Sequence, residues 1–357
     1  MSALGVPHPF ASGQSPSESP PRRGAWWALA LLLSCSLTLT NQVWVGRYTI
    51  YADEWAPDRA RLHQAILSNS LPDGFTSWTN IGANGSNVRV LVVWAAEAIH
   101  RATGQSLRRA YWAIETIGLL VCCCLLFALM MRCAGAEVAL ASLLYFGSVL
   151  PLTYLFHYFH PWDRPALAVW LAALICTHQR RWALLAGVLA VGMLVKYDII
   201  IFPAFVLLAE VPRVGWRRGF LRAGSFLALT VTLYLALKWA IPGGFEPRPW
   251  WAMILHNFDD MRTLPFAYPP ALGLLLPVML ALFGYTRSND FARAGVLTGA
   301  LYSAILFLQV NFRELRGEMA VLALVMPAAA VGVRRLVGTQ ALRSGRIAQH
   351  GEARVSV

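Results

Sequence analysis

Charge is scarce in this chain, and lysine is almost missing. Charged residues fill 13% of its 357 positions, about half the share of a typical soluble domain. Only Lys196 and Lys238 are lysine; every other basic side chain is arginine. So few charges cannot cover a water-soluble protein of this length, which excludes an ordinary cytoplasmic enzyme. An apolar content of 57% excludes a disordered chain. The six cysteines include no CxxC pair and all lie in or beside apolar runs. That excludes a secreted disulfide scaffold and predicts no zinc site built from cysteine. No internal repeat is visible, and no polar stretch is long enough to fold alone.

What is present is a series of apolar runs. They fall at about 25–45, 110–131, 137–156, 165–178, 182–195, 197–211, 220–241, 268–285, 291–310 and 317–333. The fold class expected is therefore all-α: a polytopic transmembrane bundle of about ten helices. Residues 1–24 are rich in Pro, Ser and Gly and read as a disordered tail. The helical domain covers 25–335, and 336–357 form a basic tail. Residues 47–109 make a long outer loop with amphipathic helices at about 56–69 and 87–103, suited to the bilayer interface. Several runs are shorter than the ~20 residues that cross a bilayer. The pair 182–195 and 197–211 reads as two short helices or one broken span.

The formal charge of +12 would suit nucleic acid, but its distribution points elsewhere. Arginines cluster at 22–23, 180–181, 213–222, 287–293 and 334–354. A single topology puts all of these on the cytoplasmic side, together with both termini. The expected location is a plasma (inner) membrane, with membrane lipids as partners and no nucleic acid.

Five polar groups then share the outer face. Asp53-Glu54 follows the first helix, as a general base or as a simple helix cap. His157, His160, Asp163 and Arg164 surround Pro161. His157 and His160 lie at i, i+3, so with Asp163 they could hold a divalent metal. A divalent metal is the one cofactor the sequence allows; a polar or phosphorylated ligand is favoured there. Lys196-Tyr197-Asp198 separates two short runs, either as an ion pair or as a lysine meeting an anion. Arg313 and Arg316 could clamp a phosphate, or pair internally with Glu314 and Glu318. The 242–267 segment carries Trp250, Trp251, His256, Asp259 and Asp260, with the tryptophans read as interfacial anchors.

Three stretches resemble the GT-C superfamily of polytopic glycosyltransferases. They are Asp53-Glu54 after the first helix, the run from Gly187 to Lys196-Tyr197 with Pro203 beyond it, and Arg313-Glu314-Leu315-Arg316 before a proline-containing last helix. The resemblance spans about 25–335. It implies a sugar transferred, with inversion, from a polyprenyl-phosphate donor to a glycan, lipid or protein acceptor. Asp53 would be the general base, Glu54 its helper, and Lys196, Arg313 and Arg316 the phosphate contacts. The chain is short for that superfamily, and the His157–Asp163 cluster has no role in it. The competing readings are a transporter or flippase of a lipid-linked or anionic solute, and a non-catalytic envelope-assembly protein. Deep spans hold little charge apart from Glu115 and Lys238, which counts against transport.

Overall fold

The computed structural model describes residues 23–48, 57–70, 88–151, 161–241, 250–263, 268–309 and 318–355. Among them are thirteen α-helices and no strand. In chain order these are α1 (Arg23–Tyr48), α2 (Pro57–Ser68), α3 (Val90–Thr103), α4 (Leu107–Ala134), α5 (Ala136–Val149), α6 (Asp163–His178) and α7 (Trp182–Val195). Then come α8 (Phe202–Val214), α9 (Trp216–Ala240), α10 (Trp250–Thr263), α11 (Tyr268–Gly284), α12 (Asp290–Gln309) and α13 (Met319–Val355). Short 3-10 turns occupy Tyr197–Ile201 and Tyr285–Arg287.

Five helices are long and apolar enough to cross a membrane, within α1, α4, α9, α12 and α13, and three shorter apolar ones accompany them. Burial sorts these spans. In α13, 67% of the apolar window is buried, against 17% in α9. The first is the bundle's inner helix, packed on α11 and α12; the second leaves most of its apolar surface for lipid. Exposed tryptophans, Trp216 and Trp239, sit near the two ends of α9. They are about 34 Å apart along the axis, close to the ~30 Å of a hydrocarbon core, as interfacial belts require. Exposed Lys238 lies beside Trp239, where its stem can reach an interface.

Glycine permits the closest crossings. A Cβ on Gly332 would collide with the Leu280 carbonyl of α11, and one on Gly295 with the Leu324 carbonyl of α13. Small residues let membrane helices approach this closely without a water-driven core. Gly135 (φ 83, ψ 175) and Gly215 (φ 81, ψ 165) are the single residues joining α4 to α5 and α8 to α9. That backbone region is open almost only to glycine, so each helix stops and the chain turns within one residue.

The segments that the arginine pattern assigns to one side do share one end. Arg334 donates to the Ala134 carbonyl, and Arg335 donates to Phe283 O at 2.9 Å. Glu210, fully buried on α8, pairs with Arg222 of α9 and lies 3.8 Å from Arg180. That last contact decides the 182–211 question. The starts of α7 and the end of α8 meet at the arginine-rich end, so these are two short helices that go in and come back. The predicted amphipathic helices are present as α2 and α3. Rather than lying loose, they dock on the opposite end of the bundle: Leu62, Ala65 and Ile66 pack on Val90 and Val93, and Val92 and Ala96 join Tyr111 and Trp162. The helix α10, inside a stretch read from sequence as loop, is held there too by Asn257, whose amide donates to Phe307 O at 2.7 Å.

Candidate functional site

Short helices put a charge cluster below the end of the bundle. α7 has 14 residues and α8 has 13, so each rises only about 20 Å. Between them the chain breaks at Lys196, which is extended (φ −162, ψ 119), and turns through Tyr197–Ile201. The Tyr197 ring lies 6.0 Å from Tyr234 of α9. Tyr234 is about 8 Å along α9 from Trp239. The lysine and its neighbours are therefore recessed below the level of Trp239. The physical reason is helix length: two runs too short to cross meet inside.

Four side chains converge there. Lys196 Nζ donates to Asp163 Oδ1 at 3.0 Å and lies 3.3 Å from Asp198 Oδ2. Tyr302 of α12 donates its hydroxyl to the same Asp198 oxygen at 2.5 Å. Asp163 is the first residue of α6, where an acid is favoured by the helix dipole. Tyr302 is fixed by stacking on Trp170 with centroids 5.2 Å apart. From Trp170 the ring contacts continue through Phe202, Phe205 and Phe291 to His178 at the arginine-rich end. A rigid aromatic column thus carries the tyrosine. Beside it, Ser303 donates to Glu318 at 2.9 Å, tying α12 to the start of α13.

Two more arginines border the cluster. Arg164, 2% exposed, donates to Gln42 Oε1 at 2.6 Å, and Gln42 donates to Thr116 at 2.5 Å. This links α6 to α1 and α4. Arg89, at the start of α3, lies over the Trp162 ring at 4.8 Å and the Tyr197 ring at 5.7 Å. It joins the first loop's helices to the lysine turn. Glu115 is buried on α4, one turn before Gly118, whose position abuts Arg164.

Compared with family models, curated proteins and solved structures, the chain matches none.

Of the residues nominated from sequence, the structure brings together Lys196, Asp163 and Arg164. Asp53, Glu54, His157, His160, Arg313 and Arg316 lie outside the described residues, as do Arg248 and the rest of 242–249. Among the described residues, no group of three or more His, Cys, Asp or Glu could hold a metal. Asp163, one of the three metal candidates, instead carries the Lys196 ammonium. In the 242–267 segment, Trp250 and Trp251 are exposed, and His256 lies 3.5 Å from Asp260 one turn on. Sequence reasoning missed Arg89, Gln42 and Tyr302; Glu318, named from sequence as a partner for arginine, accepts from Ser303. An arginine against the orientation bias was the only signal for Arg89; nothing marked a tyrosine within an apolar run.

A second polar network fastens α2 and α3 to α4. His63, 1% exposed, takes Tyr111 at Nδ1 (2.8 Å) and Glu97 at Nε2 (3.0 Å). A carboxylate only accepts, so Nε2 donates and Nδ1 accepts from the Tyr111 hydroxyl. Burial lowers the His63 pKa from its ordinary 6.5, partly opposed by Glu97, which keeps the ring neutral. The hydrogen bond from His63, then that from Arg101 (2.5 Å), lowers the Glu97 pKa.

Proposed function

We propose that the protein is an integral membrane glycosyltransferase of the GT-C type, acting on a lipid-phosphate-linked sugar. One observation carries the reading: the helices of the first long loop dock, through Arg89, on a recessed lysine–carboxylate cluster with aromatic walls. In sequence Asp53-Glu54 precedes α2 within that same loop, which supports reading them as the catalytic acids that work with this cluster. In this reading Asp53 takes the proton of an acceptor hydroxyl, which attacks the anomeric carbon as the sugar–phosphate bond breaks. Positive charge from Lys196, Arg313 and Arg316 stabilises the departing phosphate. Glu54 orients the acceptor, and Arg164 holds α6 in place for Asp163.

The test is sugar transfer by membranes supplied with prenyl-phosphate-linked sugars, comparing wild type with Asp53→Asn at matched folded yield. Transfer that depends on Asp53 supports the reading, and equal transfer by both removes the catalytic role. Coupled transport of an anionic solute is the second reading. The observation favouring it is the depth of Asp163, Lys196, Asp198 and Glu115, since ionisable groups inside a bundle often mark a solute path. It predicts uptake into proteoliposomes with no change in covalent structure.

A further inference from the structure

We infer that Arg89, not Lys196, is the principal anion contact of this site, and that it receives the phosphate of an amphiphilic ligand. The inference rests on the glycosyl-transfer reading only for what the phosphate carries.

The charges divide unequally. Lys196 already faces two carboxylates, at 3.0 and 3.3 Å. One of its donors is spent on Asp163, and two carboxylates more than match its charge. Arg89 has no carboxylate partner among the described residues, and its Nε has no acceptor among them. It is half-buried, so its charge is not simply dissolved in water. It sits over the ring of Tyr197, the residue next to Lys196. A half-buried cation with no carboxylate to match it among the described residues gains from a ligand that completes it.

The shape of the site defines the anion. The Trp162 and Tyr197 rings hold the guanidinium by cation–π contact, which uses the face of the group. The Tyr197 hydroxyl engages part of its edge, and Nε, with no acceptor among the described residues, is left for an acceptor in the plane, the geometry that suits a phosphate or carboxylate. Depth selects between sources. Tyr197 lies at the level of Tyr234, inside the Trp239 belt. An anion that comes this far is best carried on a lipid, with the chain left in the apolar surroundings and the headgroup at Arg89.

The experiment uses the full chain in phosphatidylcholine nanodiscs, with farnesyl phosphate as probe and farnesol and inorganic phosphate as controls. Wild type is expected to bind farnesyl phosphate well above both controls. Arg89→Gln should weaken it by about 10- to 100-fold, and Arg89→Lys by less, because charge survives but the planar fork does not. Arg89→Lys also covers the case in which the glutamine variant misfolds. Its binding is compared with wild type at equal thermal midpoint. Farnesyl phosphate binding within about twofold of wild type in a folded Arg89 variant overturns the inference, as does farnesol binding equally well. Competition by inorganic phosphate at similar concentration overturns the lipid-borne part. Loss of binding in Arg89→Gln with no sugar transfer by wild type from any donor sinks the transferase reading and leaves the anion site standing. Full transfer by Arg89→Gln does the reverse.

Discussion

Lys196→Met removes the cation from between two carboxylates while keeping the side chain's length. The contacts are 3.0 and 3.3 Å, with side chains 16%, 7% and 16% exposed for Lys196, Asp163 and Asp198. At an effective dielectric near 20, each contact is about 5 kcal/mol of gross attraction. Desolvation cancels much of it, and removing one partner of a buried pair costs about 3–5 kcal/mol net. That is a large part of the ~5–15 kcal/mol holding a typical protein. Asp163→Asn should cost less, about 1–3 kcal/mol, because Asp198 still pairs with the lysine. The double variant should cost less than the two singles together, by roughly 1 kcal/mol or more, since the orphaned carboxylate is gone. Unfolding by added SDS in mixed micelles, followed by circular dichroism, measures all four proteins. A Lys196→Met cost under ~0.5 kcal/mol, or simple additivity, would mean that water reaches the cluster and screens it, refuting the recessed geometry.

Other expectations follow from the same structure. His63 is held neutral by burial, so its contribution to the α2–α3–α4 junction is complete above pH 6.5 and is lost as pH falls through its lower folded value. Glu97 acts in the same direction at lower pH, with its contribution present above 4.5 and lost below. Hydrogen exchange of residues 57–68 should therefore quicken, after correction for intrinsic rates, between about pH 7.5 and about pH 5; His63→Gln should flatten that response. Gly215→Ala forces a side chain into a glycine-only conformation and should cost about 1–3 kcal/mol, read as a fall in thermal midpoint. Gly332→Leu cannot fit against the Leu280 carbonyl, so it should disrupt the α11–α13 crossing and lower the yield of folded protein, while Gly24→Leu, with open space around it, should not. Single cysteines replacing Trp216 and Trp239, on a cysteine-free background, should label with impermeant thiol reagents from opposite faces of sealed vesicles; labelling from one face would contradict a spanning α9.

Much of the helical plan was legible because membrane helices announce themselves by composition. The run at 182–195 matches α7 residue for residue, and α6, α9 and α12 begin within a few residues of expectation. The two amphipathic helices were readable from spacing. What escaped was α10, whose polar and aromatic residues show no long apolar run, and the continuation of α13 to Val355. Of the site, Lys196, Asp163 and Asp198 were legible because charge between apolar runs is rare. Arg89 and Tyr302 were not, since each becomes polar-site material only through a neighbour distant in sequence.

Composition and arginine placement alone determined that the chain is a helical bundle with a basic end, because scarce charge and repeated apolar runs admit little else. Only tertiary structure decided which charges meet. Lys196 finds Asp163 across a turn of two helices and Tyr302 finds Asp198 across the bundle. Arg89 comes to rest on rings from two other elements. Pairing of this kind depends on how far each helix rises before it turns. Two helices too short to cross are what draw the charges inward, and that depth is set by packing rather than by any local pattern.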